Sequence, residues 1–355
     1  MKAWTLAVDR DDLSNTTLTE GETPEVGAGE ALLRVDRVGM TANNVTYALM
    51  GDAMHYWDFF PAEPGLGLVP LWGFADVVAS GTDGVEVGAR VYGYLPPSSH
   101  LLIRPARVDE RGFRDGSEHR AALPSPYNVY ARNTADPAYE ANRENLQVLY
   151  RPLFYTSFML ADQLDDNGYY GADVLALSSA SSKTAYGAAF LLKGNGPEVV
   201  GLTSPGNVEF TESLGCYDRV VAYDAIGDLD ATRTTTYVDV LGSTDVRMQL
   251  RAHLGKSLVH DAVVGVTSQE SLGGAAVDDP QPAFFFAPDQ IAKRTGDWGR
   301  EELDAKFGEA WQRFAPVVEG WVDVVENHGP EALRDAWLEV LANKSAPRIG
   351  HIITF

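Results

Sequence analysis

Between Ser178 and Thr184 the chain reads Ser-Ser-Ala-Ser-Ser-Lys-Thr, flanked by the apolar run at 174–177 and an apolar helical stretch that ends at Leu192. A buried strand, a small polar turn and a helix can hold a phosphate, because free amides and the positive end of the helix dipole meet there. Ser179, Ser181 and Ser182 can cap the helix or donate hydroxyls, Ala180 is small, and Lys183 next to Thr184 offers a point charge. No glycine lies in the turn, so hydroxyls must partly replace bare backbone. A P-loop is not matched: Lys183 and Thr184 fit its end, but Leu177 and Ser182 occupy its glycine positions. A Ser-x-x-Lys hydrolase pattern fails because Ala180 stands three before Lys183. The bland alternative is a degenerate helix cap in a protein that no longer binds nucleotide.

Metal chemistry finds little support. Cys216 is the single cysteine, which excludes a thiolate-rich zinc site and an intrachain disulfide. The first 140 residues hold only His55, His100 and His119, without ligand spacing, so no metal is expected. Neutral donors are more plentiful. Asn43 and Tyr47 lie close together, Tyr56 opens an aromatic stretch, and Tyr155 lies in a later helical run. Such groups can polarise a carbonyl without a charge. Each aromatic also has a plain reading as core packing.

These side chains need two kinds of scaffold. Residues 1 to about 110 are rich in valine and alternation, broken by Gly-Thr-Asp-Gly and Pro-Pro turns, which predicts strands. Residues 142–164 space their apolar positions as a helix pair does, with Pro152 opening the second helix. From 172 the rhythm becomes strand-helix-strand, with strands expected at 172–178, 198–204, 218–224, 235–242, 261–267 and 282–288. Several of these runs lack alternation, which suits strands covered on both faces of a doubly wound parallel sheet. The stretch 300–327 reads as helical, and the chain closes on a terminal strand. A β-rich start, an inserted α/β unit and a returning strand predict a discontinuous first domain, 1–140 plus 300–355, around a second at 141–299.

Lys+Arg of 28 against Asp+Glu of 50 leaves a net charge of −22, which disfavours nucleic acid and anionic membrane as partners. Apolar content of 45% is enough to build real cores. The amino-terminal segment has no apolar signal core and no long apolar run follows, so a cytoplasmic protein is expected.

The ordered series of segments resembles the medium-chain dehydrogenase/reductase superfamily, in its zinc-free quinone-oxidoreductase and enoyl-reductase branch. The segments that carry the likeness are GEALLRVDRVGMTANNVTYALMGD, PLWGFADVVASGTDGVEVGARVYGY, VVGLTSPGNVEFTESLGCYDRVVAYD, YVDVLGS and RIGHIITF. Ala89 stands where that branch usually has Asp, and the serine turn replaces its glycine-rich one. The resemblance implies an α/β fold in which a doubly wound (Rossmann) sheet is inserted in a β-rich GroES-like domain. It places Asn43, Asn44 and Tyr47 on a cleft-lining segment, and Tyr155 and Thr156 on a helix near the nicotinamide. It implies a homodimer built through the edge of the nucleotide domain, near the 282–288 segment, which can equally be a central buried strand.

In the two-strand unit, an acidic residue ending the second strand would bind the ribose of NAD. Here Thr203, Ser204 and Asn207 stand there instead, which favours NADP, with Lys183 and Arg219 as nearby cations. Topology and resemblance also bring Gly242 and Ser243, Gly265, Val266 and Thr267, and Phe286 and Ala287 toward the cofactor. The expectation is an NADPH-dependent, zinc-free oxidoreductase acting on an enone, quinone or ketone of a small apolar molecule. Two alternatives stay open: a redox-neutral, lyase-type enzyme that keeps NADP bound, and a non-catalytic binding protein that has lost the nucleotide.

Overall fold

In a computed structural model of the chain, residues 2–264 and 282–355 are described. They form two compact units, Met1–Arg151 with Val322–Phe355, and Pro152–Trp321. The first unit opens with β1 (Ala3–Asp9), β2 (Thr16–Gly21), β3 (Ala31–Met40) and α1 (Ala42–Leu49). It continues through β4 (Leu66–Gly67), β5 (Leu71–Ser80), β6 (Arg90–Leu95), β7 (His100–Ile103), β8 (Pro105–Asp109), β9 (Gly112–Asp115) and β10 (Val129–Arg132). Helix α2 (Glu144–Asp166) runs on into the second unit.

That unit holds β11 (Val174–Leu177), α3 (Lys183–Leu192), β12 (Glu198–Thr203), α4 (Val208–Ser213), β13 (Arg219–Ala222) and β14 (Thr235–Asp239). There follow α5 (Thr244–Leu254), β15 (Leu258–Val263), β16 (Ala283–Phe284), α6 (Ala287–Trp298) and α7 (Arg300–Val318). The chain returns to the first unit with β17 (Asp323–His328), α8 (Pro330–Leu341) and β18 (Ile349–Thr354).

In the first unit, β17-β18-β3-β5-β6-β10-β9-β8 form one sheet, with β7 also on β3, and β2-β1-β4 form a smaller one. The returning β18 lies antiparallel to β3, so the late segment completes a sheet begun at the start of the chain. In the second unit the order is β13-β12-β11-β14-β15-β16, all parallel. That is the doubly wound order, with its switch point between β11 and β14. Every residue of β11 and β14 is buried, which suits the unbroken apolar run of β11, whereas β14 buries two threonines and Asp239 as well.

Several sequence expectations are corrected. The unit boundaries fall at Arg151/Pro152 and Trp321/Val322, not at 140/141 and 299/300. Helix α7 belongs to the second unit because its face buries Phe307, Trp311 and Phe314, the last stacked on Phe154 of α2 at 4.1 Å between ring centroids. Residues 144–166 form one helix with Pro152 inside it rather than a pair. The segment 323–328, read as helix, is a strand parallel to β18, where its valines gain a ladder. The 282–288 segment keeps only Ala283–Phe284 as strand, at the sheet edge, which removes the central-strand reading. Among the described residues no helix is long and apolar enough to cross a membrane.

Candidate functional site

The serine turn lies where β11 hands over to α3, at the carboxyl edge of the second unit's sheet. Ser179 has a φ of +52°, the left-handed region that glycine enters freely and other residues enter at a cost. The turn is held from several sides. The Ser179 amide donates to the Tyr223 hydroxyl at 2.8 Å and the Ala180 amide to Leu202 O at 3.0 Å. The Ser182 amide donates to Ser179 O at 2.7 Å, and the Ser182 hydroxyl caps α3 by accepting from the Ala185 amide. The Tyr217 hydroxyl donates to Ala180 O at 2.9 Å. Gly201 of β12 must be small, since a Cβ there would lie 2.9 Å from the Ala180 methyl and 3.0 Å from the Tyr217 ring.

Below the turn sits a buried polar chain. The Ser178 hydroxyl donates to Asp239 Oδ1 at 2.9 Å and accepts the amides of Val240 and Leu241 at 2.9 and 3.0 Å. Asp239, fully buried, also accepts the Gly242 amide at 2.8 Å and is ion-paired with Arg247. Arg247 lies 3.5 Å from Asp261, whose carboxyl is pushed up by burial although Arg247 and Arg251 oppose the shift. These bonds lock the turns after β11 and β14, the two that flank the switch point.

Lys183 opens α3. It is partly exposed by area, yet protein packs closely enough around it that desolvation lowers its ammonium to about 8. Among the described residues the amides of Ser181 and Thr184 have no protein acceptor, and the Ser181 hydroxyl accepts from Asn207 Nδ2 at 3.2 Å. The two amides and the Ser181 hydroxyl at the start of this helix therefore form a donor set that suits an anion, and Lys183 adds a cation beside them.

The other predicted positions divide. Thr203 is buried at the end of β12 and Ser204 is partly exposed just after it, so both sit at this edge. Gly242, at φ +71°, and Ser243, which caps α5, follow β14 at the same edge. Phe286 and Ala287 start α6 just after β16. Arg219 does not reach the edge. It begins β13 opposite Val200, three rungs below the Thr203–Ala222 pair, and lies 3.6 Å from Glu198 at the amino end of β12. Gly265, Val266 and Thr267 lie outside the described residues. Tyr155 packs on Phe307 of α7 at 4.5 Å between centroids, and the Thr156 hydroxyl donates back to Pro152 O.

The first unit gathers its own candidates around α1. Asn44 is structural: its Oδ1 accepts the Thr41 amide at 2.8 Å and its Nδ2 donates to Pro70 O at 2.9 Å, which closes a capping box. Asn43 beside it is partly exposed. One turn on, Tyr47 is buried and its oxygen accepts the Trp72 indole N–H at 3.0 Å. Burial raises the Tyr47 phenol, and the side chains of Trp72, Asn43 and Tyr94 pull the other way. Tyr56 packs against Tyr47 with ring centroids 4.7 Å apart and planes tilted by 52°, and its hydroxyl lies 3.5 Å from that of Tyr127. Tyr94 completes the cluster, 4.9 Å from Tyr127, 5.0 Å from Trp72 and 5.5 Å from Tyr47. His55 is exposed at φ +59°, and its imidazole bonds Asp58 Oδ2 at 2.9 Å. Among the described residues no cluster of three His, Cys, Asp or Glu could hold a metal.

The sequence reading missed Tyr223, Asp239, Trp72 and Tyr94. A lone carboxylate in the apolar run of β14 was the available signal for Asp239. The others carry none without their partners.

Comparison with solved structures gives the same fold. CurA from Vibrio vulnificus in complex with NADPH is 15% identical over 99% of this chain and 98% of its own, with a TM-score of 0.62. The CurF ER cyclopropanase of the curacin A biosynthetic pathway is 14% identical over 100% and 99%, with a TM-score of 0.60. The Etr1p/NADP/crotonyl-CoA complex is 13% identical over 100% of both chains, with a TM-score of 0.57. The two-unit architecture is thus the fold of these solved structures, as the ordered motifs implied. No curated protein matches the chain. Residues 38–346 match the family described as "Protein of unknown function (DUF2855)", and the chain belongs to that family.

Proposed function

We propose that the chain is an NADPH-dependent oxidoreductase that acts on a polarised enone, quinone or ketone of a small, largely apolar molecule. The observation that carries this reading is the turn from β11 to α3 at the switch point of the sheet. It keeps the left-handed backbone of a dinucleotide turn at Ser179 and adds Lys183 at the helix start. The folds it resembles include complexes with NADPH and NADP.

The residues present fit the cofactor. The amides of Ser181 and Thr184, the Ser181 hydroxyl and the Lys183 ammonium would hold the pyrophosphate. Thr203 and Ser204, with no carboxylate at the end of β12, leave room for a 2′-phosphate and favour NADPH over NADH. The reduced nicotinamide supplies the hydride. In the first unit, Asn43, Tyr47 and Tyr56 would donate hydrogen bonds to the substrate carbonyl, and neutral phenols suit that task because burial keeps Tyr47 and Tyr56 protonated. Tyr155 would act from α2. A homodimer through the β16 edge is part of the reading, since Phe284 is 52% exposed there.

One observation favours a second reading. The phenol of Tyr223 already occupies the Ser179 amide, as in a protein that has given up the nucleotide. Titration with NADPH, NADH and ATP, followed by nicotinamide fluorescence and thermal shift, separates the two. Micromolar binding of NADPH, with NADH much weaker and ATP silent, is expected. No binding of any of the three would establish the second reading. Tight retention of NADP without consumption of added NADPH would point to a redox-neutral enzyme.

A further inference from the structure

Tyr223 takes an amide that a dinucleotide turn would keep for its ligand. It follows β13, the serine turn follows β11, and β12 lies between these two strands. The phenol therefore reaches past β12 to accept the Ser179 amide at 2.8 Å. Thr203 ends β12 and Ser204 follows it, where the ribose of a dinucleotide would be read. Burial pushes the Tyr223 phenol up to about 12, so its oxygen is a neutral acceptor. Tyr223 also borders an open hollow of about 410 Å³. The hollow lies between Asp224, Ile226 and Gly227 on one side and Gln249, Ala252 and His253 of α5 on the other. The Tyr223–Asp228 turn is irregular, since Ala225, at φ −114° and ψ 21°, breaks its helical geometry. Its far end is pinned to α5, because His253 Nε2 donates to Leu229 O at 2.8 Å.

We propose that Tyr223 is an autoinhibitory latch: its phenol holds the Ser179 amide in place of a phosphate oxygen and swings into the α5 hollow when NADPH binds. The latch rests on the nucleotide reading given above and adds a regulation to it. A phosphate oxygen makes a charge-assisted bond to an amide, roughly twice as strong as a neutral one, so it wins the exchange. The phenol bond must still be broken first. The apparent dissociation constant therefore exceeds that of the open form by the inverse of the open fraction. Once the ring has left the end of β12, the cradle gains a third amide beside those of Ser181 and Thr184. One side chain thus keeps the turn in shape without a ligand and yields to one. A glycine turn would need no such brace, because its backbone enters the left-handed region freely.

The test uses the full-length protein labelled with 15N-serine, with Ser179→Ala to assign the Ser179 amide and NADPH as the ligand. In Tyr223→Phe, which keeps the ring and removes the acceptor, that amide should shift and exchange faster with solvent before any ligand is added. NADPH should then bind about fivefold tighter, the effect of one neutral hydrogen bond that no longer has to be broken. Ala252→Leu tests the other position of the ring. Ala252 is exposed on α5 and leucine suits a helix, so this variant should fold while it fills the hollow. It should weaken NADPH binding about threefold by lowering the open fraction, and leave the Ser179 amide of the free protein unmoved. A Tyr223→Phe protein that binds NADPH no tighter than the wild type, or an Ala252→Leu protein that binds it as well, would overturn the latch. Nicotinamide fluorescence keeps the two readings apart. Equal binding by the wild type and Tyr223→Phe removes the latch alone, whereas no binding by either removes the nucleotide reading and the latch with it.

Discussion

The serine turn of the second unit and the aromatic cluster of the first treat their hydrogen-bond donors in opposite ways. In the turn, the amides of Ser179, Ala180, Ser182 and Ala185 are all taken by protein acceptors, and Ser178 makes three bonds from one hydroxyl. In the cluster, the hydroxyls of Tyr94 and of Tyr92, whose ring stacks on Trp72, are buried with no partner among the described residues. A glycine-rich turn keeps its shape because its residues tolerate left-handed backbone. A serine turn has to be braced, and the bracing consumes donors that glycine would have left for a ligand. The cluster has the reverse economy: aromatic stacking fixes the rings, so their hydroxyls need not be used for structure.

The contrast fails first, and by the largest margin, if the bracing is dispensable. Ser178→Ala removes a donor to buried Asp239, strands the amide of Val240 and takes one acceptor from that of Leu241. A loss of about 3 kcal/mol in urea unfolding is expected, since each stranded buried group costs roughly 1–3 kcal/mol. A loss below about 1 kcal/mol would mean that the turn holds itself and that its saturation is incidental.

Lys183→Ala tests the cation beside the turn. Removing a charge-assisted contact to phosphate should raise the NADPH dissociation constant about thirtyfold, equivalent to about 2 kcal/mol. Unchanged binding would take Lys183 out of the site. The wild-type dissociation constant should also rise as pH climbs through about 8, where the ammonium is lost in the free protein, and the variant should lack that dependence. Stability moves the other way. The folded protein releases the Lys183 proton near 8 and the unfolded chain near 10.5, so the unfolded state binds more protons between those values. This group therefore makes the wild type gain stability as pH rises across that window. Urea titrations of both proteins at pH 7.5 and 10 would show the difference.

What sequence could and could not reveal follows the same division between local and distant partners. The β11–α3 turn was legible because a buried strand, a polar break and an apolar helix are all local patterns. Its braces were not, for Tyr223 and Asp239 lie 44 and 61 residues from the serines they bond. Arg219 was misplaced because closeness to the third strand in sequence does not say which end of the sheet a residue occupies, and it starts that strand rather than ending it. Pro152 looked like a helix start because proline suits the first turn, but the helix continues past it. The segment 323–328 misled through length: a valine-rich run after a long helix fits either period, and only β18, more than twenty residues later, selects the strand. In the first unit, Asn43 and Tyr47 were found on one segment, yet the indole that donates to Tyr47 lies 25 positions away at Trp72.

The smallest expected effect is the most specific test of how the serine turn differs from a glycine one. Ser179 stands at φ +52°, and its two bonds within the described residues, the amide to Tyr223 and the carbonyl from Ser182, belong to the backbone. Ser179→Gly keeps both and removes only the Cβ and hydroxyl. Relief of left-handed strain is worth about 1–2 kcal/mol, while the freer unfolded chain takes back roughly 0.5–1 kcal/mol. A net gain of about 0.5 kcal/mol in urea unfolding is expected, with the NADPH dissociation constant unchanged. A tighter NADPH complex in Ser179→Gly would show instead that the serine side chain obstructs the cradle. A loss of more than about 1 kcal/mol would show that the Ser179 hydroxyl itself braces the turn. In that case backbone saturation alone could not explain how the turn keeps its shape without glycine.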